Sequence, residues 1–166
     1  MKSVVVFLAL TVLLLAGCEY TSPLTKEHNI AIDSDVLGLW EPIPDEGEES
    51  KQDERMVILK FSDTEYMVHY PFGEDGLYFR CYPIKIGGIS CIQLQVIGSF
   101  DGPPENVLFH VVSYQLTNDE LKIRILNTHL VDDDLKTTEG LVDAFLKHKD
   151  NKELFTDPER FRKIKE

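Results

Sequence analysis

From residue 35 onward, apolar residues recur at every second position in short runs, and two-residue turn signals separate several of these runs. Alternation of period two builds strands, and turns this short join only antiparallel neighbours. The chain is therefore constrained to a meander in which consecutive strands pair. Each register can be tested by asking which loop brings apolar side chains onto one face, because a slip of one residue inverts them all. Between residues 107–116 and 120–127, a two-residue loop at Asn118-Asp119 pairs Leu116 with Leu121, Tyr114 with Ile123 and Val112 with Ile125, and turns Lys122 and Arg124 outward. Asn and Asp both tolerate the positive φ such a loop needs. The same test on residues 55–61 and 65–70 puts a loop at Asp63-Thr64. It pairs Phe61 with Tyr66, Leu59 with Val68 and Val57 with Tyr70, while Lys60, Met67, Ile58 and His69 take the other face.

A third hairpin joins residues 77–86 to 89–97 around Gly87-Gly88. Its loop length decides the fate of Cys81 and Cys91. A two-residue Gly-Gly loop puts them on opposite faces, a three-residue loop over 85–87 sets them directly opposite each other, and one over 86–88 leaves them diagonal. The apolar pattern, Tyr82 and Ile84 against Ile92, Leu94 and Val96, favours an odd-numbered loop, so Cys81–Cys91 is a candidate structural disulfide. Nothing nearby marks either as a reactive thiol. After Asn127 the period changes. Leu141, Val142, Phe145 and Leu146 have helical spacing within residues 135–149, with Thr137 or Thr138 as N-cap and Glu139 in the first turn. Gly140 weakens this helix by about 1 kcal/mol relative to Ala. Residues 159–164 read as a short closing strand anchored by Phe161 and Ile164. The expected fold is mainly β: an antiparallel up-and-down meander closing into a barrel, with one C-terminal amphipathic helix on the sheet before a short last strand.

The N-terminus has a different character. Lys2 precedes an apolar run from Val4 to Leu15, broken only by Thr11 and ended by Ala16 and Gly17, as in a secretory signal. Leu15-Ala16-Gly17-Cys18 resembles the lipobox of bacterial lipoproteins. That resemblance implies cleavage between Gly17 and Cys18, diacylglycerol on the Cys18 sulfur, and a fatty acyl group such as palmitate on the new amino group. It also implies a cell-envelope protein held to a membrane by its acyl chains. Glu19, in place of Asp, favours the outer membrane, facing the periplasm, under the sorting rule of enterobacterial lipoproteins. No later stretch reaches 18 consecutive apolar residues, so the anchor is expected to be lipid alone. Residues 1–17 then form the signal peptide. Residues 18–34 form a lipidated N-terminus and flexible tether, spanning roughly 20–25 Å as a coil, and 35–166 form the β domain.

Removing residues 1–17 takes away Lys2 and no acid, leaving 16 Lys and Arg against 29 Asp and Glu, a net charge of −13. Such a body repels nucleic acid, which is excluded as a partner. Asp45, Glu46, Glu48, Glu49, Asp53 and Glu54 cluster without the spacing of a cation loop and read as a solvated loop. Asp132-Asp133-Asp134 precedes the helix, where acids favour the N-terminus. His28, His69, His110, His129 and His148 show no metal spacing. With no nucleophile motif, phosphate loop or flanking carboxylate pair, neither enzyme activity nor a cofactor is expected.

Gly38-Leu39-Trp40 opens the first strand of the body. Gly-x-Trp at this place, followed by a meander of hairpins and a C-terminal helix, resembles the lipocalins and wider calycin-like barrels over residues 35–166, although the second, Thr-Asp-Tyr-like lipocalin turn motif has no counterpart. The resemblance implies a barrel whose base is closed by Trp40. By residue type alone, Trp40 is equally a core aromatic of any sandwich. His110 shares the face of Val112, Tyr114 and Leu116 and stands opposite Asn127, either to meet the polar head of a ligand or as a satisfied polar pair. Trp40, His110 and Tyr114 are thus the candidate ligand-lining residues. The expected role is a non-catalytic binding module for a small apolar or amphipathic molecule. The alternative is a protein-interaction or envelope-assembly accessory with a filled barrel, and Phe61, Tyr66, Tyr70 and Tyr114 on the inner faces point that way.

Overall fold

Strands β1 (Gly38–Pro42), β2 (Met56–Lys60), β3 (Tyr66–Tyr70), β4 (Leu77–Ile86), β5 (Ile89–Ser99), β6 (Phe109–Thr117), β7 (Glu120–Ile125) and β8 (Glu159–Lys163) follow one another as antiparallel neighbours. β8 then returns to β1, with Trp40 opposite Lys163, and closes an eight-stranded barrel. The structure, a computed structural model, describes residues 19–44, 47, 54–73 and 75–165. The signal segment, Gly17, Cys18 and the acidic cluster apart from Glu54 lie outside the described residues. Among the described residues no helix is long and apolar enough to cross a membrane.

The two ends of the barrel differ. At the base, a single 3₁₀ turn, Ser34–Val36, precedes β1, beside the turns that follow β2, β4 and β6. At the opposite rim lie the connections after β1, β3 and β5 and the start of the long segment after β7, whose helix α1 (Thr138–His148) runs along the outside of the barrel and brings Leu146 against the Gly87 turn. Thr137 caps α1, its hydroxyl accepting the Gly140 N–H at 3.1 Å. Leu141 and Phe145 are buried against the outer face of the barrel, where they join Tyr82, Ile84, Cys91 and Val111 in a second core outside the first.

Three expectations are corrected. The β6–β7 register is as expected, Leu116 to Leu121 through Val112 to Ile125, with Asn118 at φ 55°. The β2–β3 register, however, is shifted by one residue: Ile58 faces Val68 and Lys60 faces Tyr66. Met56 and Ile58 point inward, while Leu59 and Phe61 are 54% and 57% exposed. Both faces of this run are apolar except at Lys60, and Lys60 reaches the base edge, where its ammonium bonds Asp63 at 2.7 Å. Face matching therefore could not choose between the two registers. The hairpin between β4 and β5 has the two-residue loop, with Ile86 opposite Ile89, not an odd-numbered one. Gly87 and Gly88 take φ of 57° and 89°, which a tight two-residue turn demands and glycine supplies without strain. The outer core makes both faces of β4 and β5 apolar, so their pattern carries no register.

The third correction concerns residues 18–34. From Tyr20 onward this segment is a strap bound to the barrel, not a flexible tether. The Tyr20 and Phe109 backbones exchange hydrogen bonds of 2.9 and 2.8 Å, and Tyr20 and Leu24 are buried in the outer core. Gln93, itself fully buried, accepts the Leu24 N–H at 2.6 Å, donates to the Thr25 carbonyl at 3.0 Å and bonds the Tyr82 hydroxyl. Further on, the His28 ring Nδ1 meets Glu65 at 2.5 Å, and the Ile32 N–H donates to the Asp63 carbonyl at 3.0 Å. The strap crosses strands instead of following one, so its contacts fall at irregular spacing and leave no periodic signal.

Candidate functional site

Alternate residues of the strands project into the barrel: Ile58, Val68, Cys81, Leu94, Val112 and Ile123 at mid-height, with Tyr66, Tyr114 and Leu121 toward the base. The short side chains at 68, 81 and 112 do not span the interior. A cavity of about 110 Å³ remains, walled almost entirely by carbon. Phe61, expected to help fill it, is on the outside. Val36 of the 3₁₀ turn forms the floor, and Tyr70, Ile125 and Glu159 stand half-buried at the rim end.

The floor is fixed from beneath. Trp40, completely buried, donates its indole N–H to the Val36 carbonyl at 2.9 Å. The Lys163 ammonium lies 5.4 Å from the centre of the Trp40 rings and donates to the Asp35 carbonyl at 2.8 Å. Gly38, at φ 137°, leaves room for the Lys163 stem: a Cβ there would lie 3.0 Å from Lys163 Cε. Trp40 thus closes the base and supports the lining without belonging to it.

The two phenols toward the base of the lining are engaged below the space. The Tyr66 hydroxyl accepts the Asp33 N–H at 2.7 Å, and the Tyr114 hydroxyl donates to the Asp33 carboxylate at 3.2 Å. Burial, then the charge of Asp33, pushes the Tyr114 phenol up, so it stays protonated. Among the described residues, Glu159 is the one carboxylate of the lining. Burial chiefly, then the charge of Glu54, raises its pKa above the ordinary range for a glutamate.

The candidates from sequence therefore separate. Tyr114 lines the cavity; Trp40 and His110 do not. His110 is buried beside it, with its ring edge-to-face on Phe79 at 6.0 Å. The expected His110–Asn127 contact is replaced, because Asn127 donates to the Glu153 carbonyl at 2.9 Å and accepts the His129 N–H at 3.0 Å. The candidate disulfide is not made. Cys81 faces the cavity opposite Leu94, Cys91 faces the outer core opposite Ile84, and both are free thiols. Burial pushes the Cys91 thiol up to about 12 and raises Cys81 as well, which removes both from nucleophilic use at neutral pH. Among the described residues no three His, Cys, Asp or Glu side chains converge on a common point as metal ligands would.

Sequence reasoning missed Asp33, Glu159 and Gln93. Glu159 had a signal, since it alternates with Phe161 on β8 and so shares its inward face. Asp33 and Gln93 had none, because their partners come from the strap and its crossing. Compared with known proteins, the chain matches no family model and no curated protein.

Proposed function

We propose that this protein is a lipid-anchored cell-envelope binding protein, without catalysis, that holds a small apolar molecule or the apolar end of a larger one inside its barrel. The observation that carries this reading is the carbon-walled cavity of about 110 Å³. It is similar in scale to engineered apolar cavities of about 150 Å³ that stay dry and take up benzene. A single ring or a short alkyl segment fits such a space. The phenols of Tyr66 and Tyr114 are engaged by Asp33, so away from Glu159 at the rim end the walls offer burial and not hydrogen bonds. The filled-barrel alternative is disfavoured by the outward position of Phe61. The lipocalin-like reading gains support from the closed meander and from Trp40 at the base, and the anchor from the lipobox at Leu15–Cys18, with Glu19 favouring the outer membrane.

Native mass spectrometry on a soluble exported form beginning at Glu19 tests the reading. The expected result is an excess mass that disappears on denaturation and is absent from Val112→Phe, in which the new ring occupies the cavity. A bare-chain mass for the native protein, unchanged after exposure to small aromatic and alkyl compounds, would contradict it.

A further inference from the structure

The rim of the barrel carries large apolar side chains exposed to solvent. Phe100, 76% exposed, follows β5 directly; Val107, 53% exposed, lies on the return toward β6; Phe72, 53% exposed, follows β3. The two loops are neighbours, because Leu77 at the start of β4 pairs with Ser99 at the end of β5. The Tyr78 ring, also exposed, continues the patch through His69, which stacks on it at 4.2 Å and meets Phe72 edge-on at 5.4 Å. Neither loop contains Lys or Arg, whereas Asp75, Asp101 and Glu105 stand among these residues, exposed.

The N-terminal chain arrives at this same rim. Tyr20 is bonded through its backbone to Phe109, two residues beyond Val107, and its hydroxyl donates to the Val131 carbonyl at 2.8 Å. Cys18 is two residues before this fixed point, about 7 Å of extended chain at most. An acylated Cys18 would not hold the barrel at the end of a long tether. It would draw the rim, not the base, down to the lipid.

We propose that the rim patch of Phe72, Phe100 and Val107 is a membrane-contact surface, pressed into the head-group boundary of the bilayer that holds the Cys18 acyl chains. This rests on the lipid anchor of the preceding section. Apolar side chains at that depth bind by burial, as interfacial segments do. The acids around them would repel anionic head groups, so the matching surface is zwitterionic. One consequence follows for the cavity: its half-buried end, at Tyr70, Ile125 and Glu159, faces the bilayer, and an apolar guest can pass between lipid and barrel with little exposure to water.

The test uses full-length acylated protein carrying Phe100→Trp, reconstituted in phosphatidylcholine vesicles with brominated acyl chains. Trp40 is the sole native tryptophan and sits at the base, so it serves as the internal reference. The expected result is loss of the added indole emission in brominated vesicles, with the emission of unsubstituted protein unchanged. Vesicle flotation, read alongside, separates the two ideas. Protein that floats with vesicles but keeps the added emission leaves the anchor standing and overturns the contact surface, including the case in which that indole is shielded by a bound protein. Protein that fails to float overturns the anchor and the contact surface with it.

Discussion

Glu159 and Trp40 show how single side chains set the conditions of the cavity. The Glu159 carboxyl holds its proton more tightly in the fold than in the unfolded chain, chiefly through burial and then through Glu54. Such a group costs nothing below the unfolded value of 4.5, where it is protonated in both states. As pH rises through the raised folded value, ionising it in place weakens the fold. Glu159→Gln is therefore expected to raise the melting temperature at pH 7, with the gain vanishing near pH 4. A gain equal at both values would assign the effect to packing instead. Trp40→Phe keeps a ring at the base but leaves the buried Val36 carbonyl without its donor, a cost of about 1–3 kcal/mol. Urea unfolding followed by circular dichroism measures it, and an unchanged midpoint would remove the indole N–H from the support of the floor.

At the scale of elements, the strap is held to the barrel by Gln93. Gln93→Leu leaves the buried Leu24 N–H unsatisfied, which costs about 1–3 kcal/mol, and hydrogen exchange should then accelerate at residues 24 and 25 before it does in β7. Uniform protection across the chain would show that the apolar contacts of Tyr20 and Leu24 suffice alone. The strap also explains what could and could not be read from sequence. β6 and β7 were legible because Ser113, Gln115, Lys122 and Arg124 mark a solvent face, so one register alone buries the apolar set. β4 and β5 were not, since Tyr82, Ile84 and Cys91 are buried outside the barrel as firmly as Phe79 and Cys81 are inside it. In β2, Leu59 and Phe61 sit outward though apolar, and Lys60, on the face of Met56 and Ile58 at the base edge, favoured the register that is not formed. Helix α1, with its period and cap, and β8, with Phe161, came through because each has one buried face. The site fared worse: Tyr114 was found by alternation, but the floor depends on Asp33 and Val36, which precede the first strand and have no pattern to announce them.

For the whole molecule, two cores share the wall formed by β4, β5 and β6. The outer one is closed by helix and strap. The inner one is left open by short side chains at 68, 81 and 112. A barrel built this way is packed from outside while an inner volume is left unfilled, an arrangement consistent with the binding role proposed above. The direct measurement is methyl-resolved NMR of the soluble form titrated with benzene. Saturable shifts are expected on Val68, Leu94, Val112 and Ile123, with Val131 and Leu141 of the outer core unmoved and the response lost in Val112→Phe. Shifts that never saturate, or that fall on the outer core while the inner methyls stay fixed, would contradict a hollow, ligand-binding barrel.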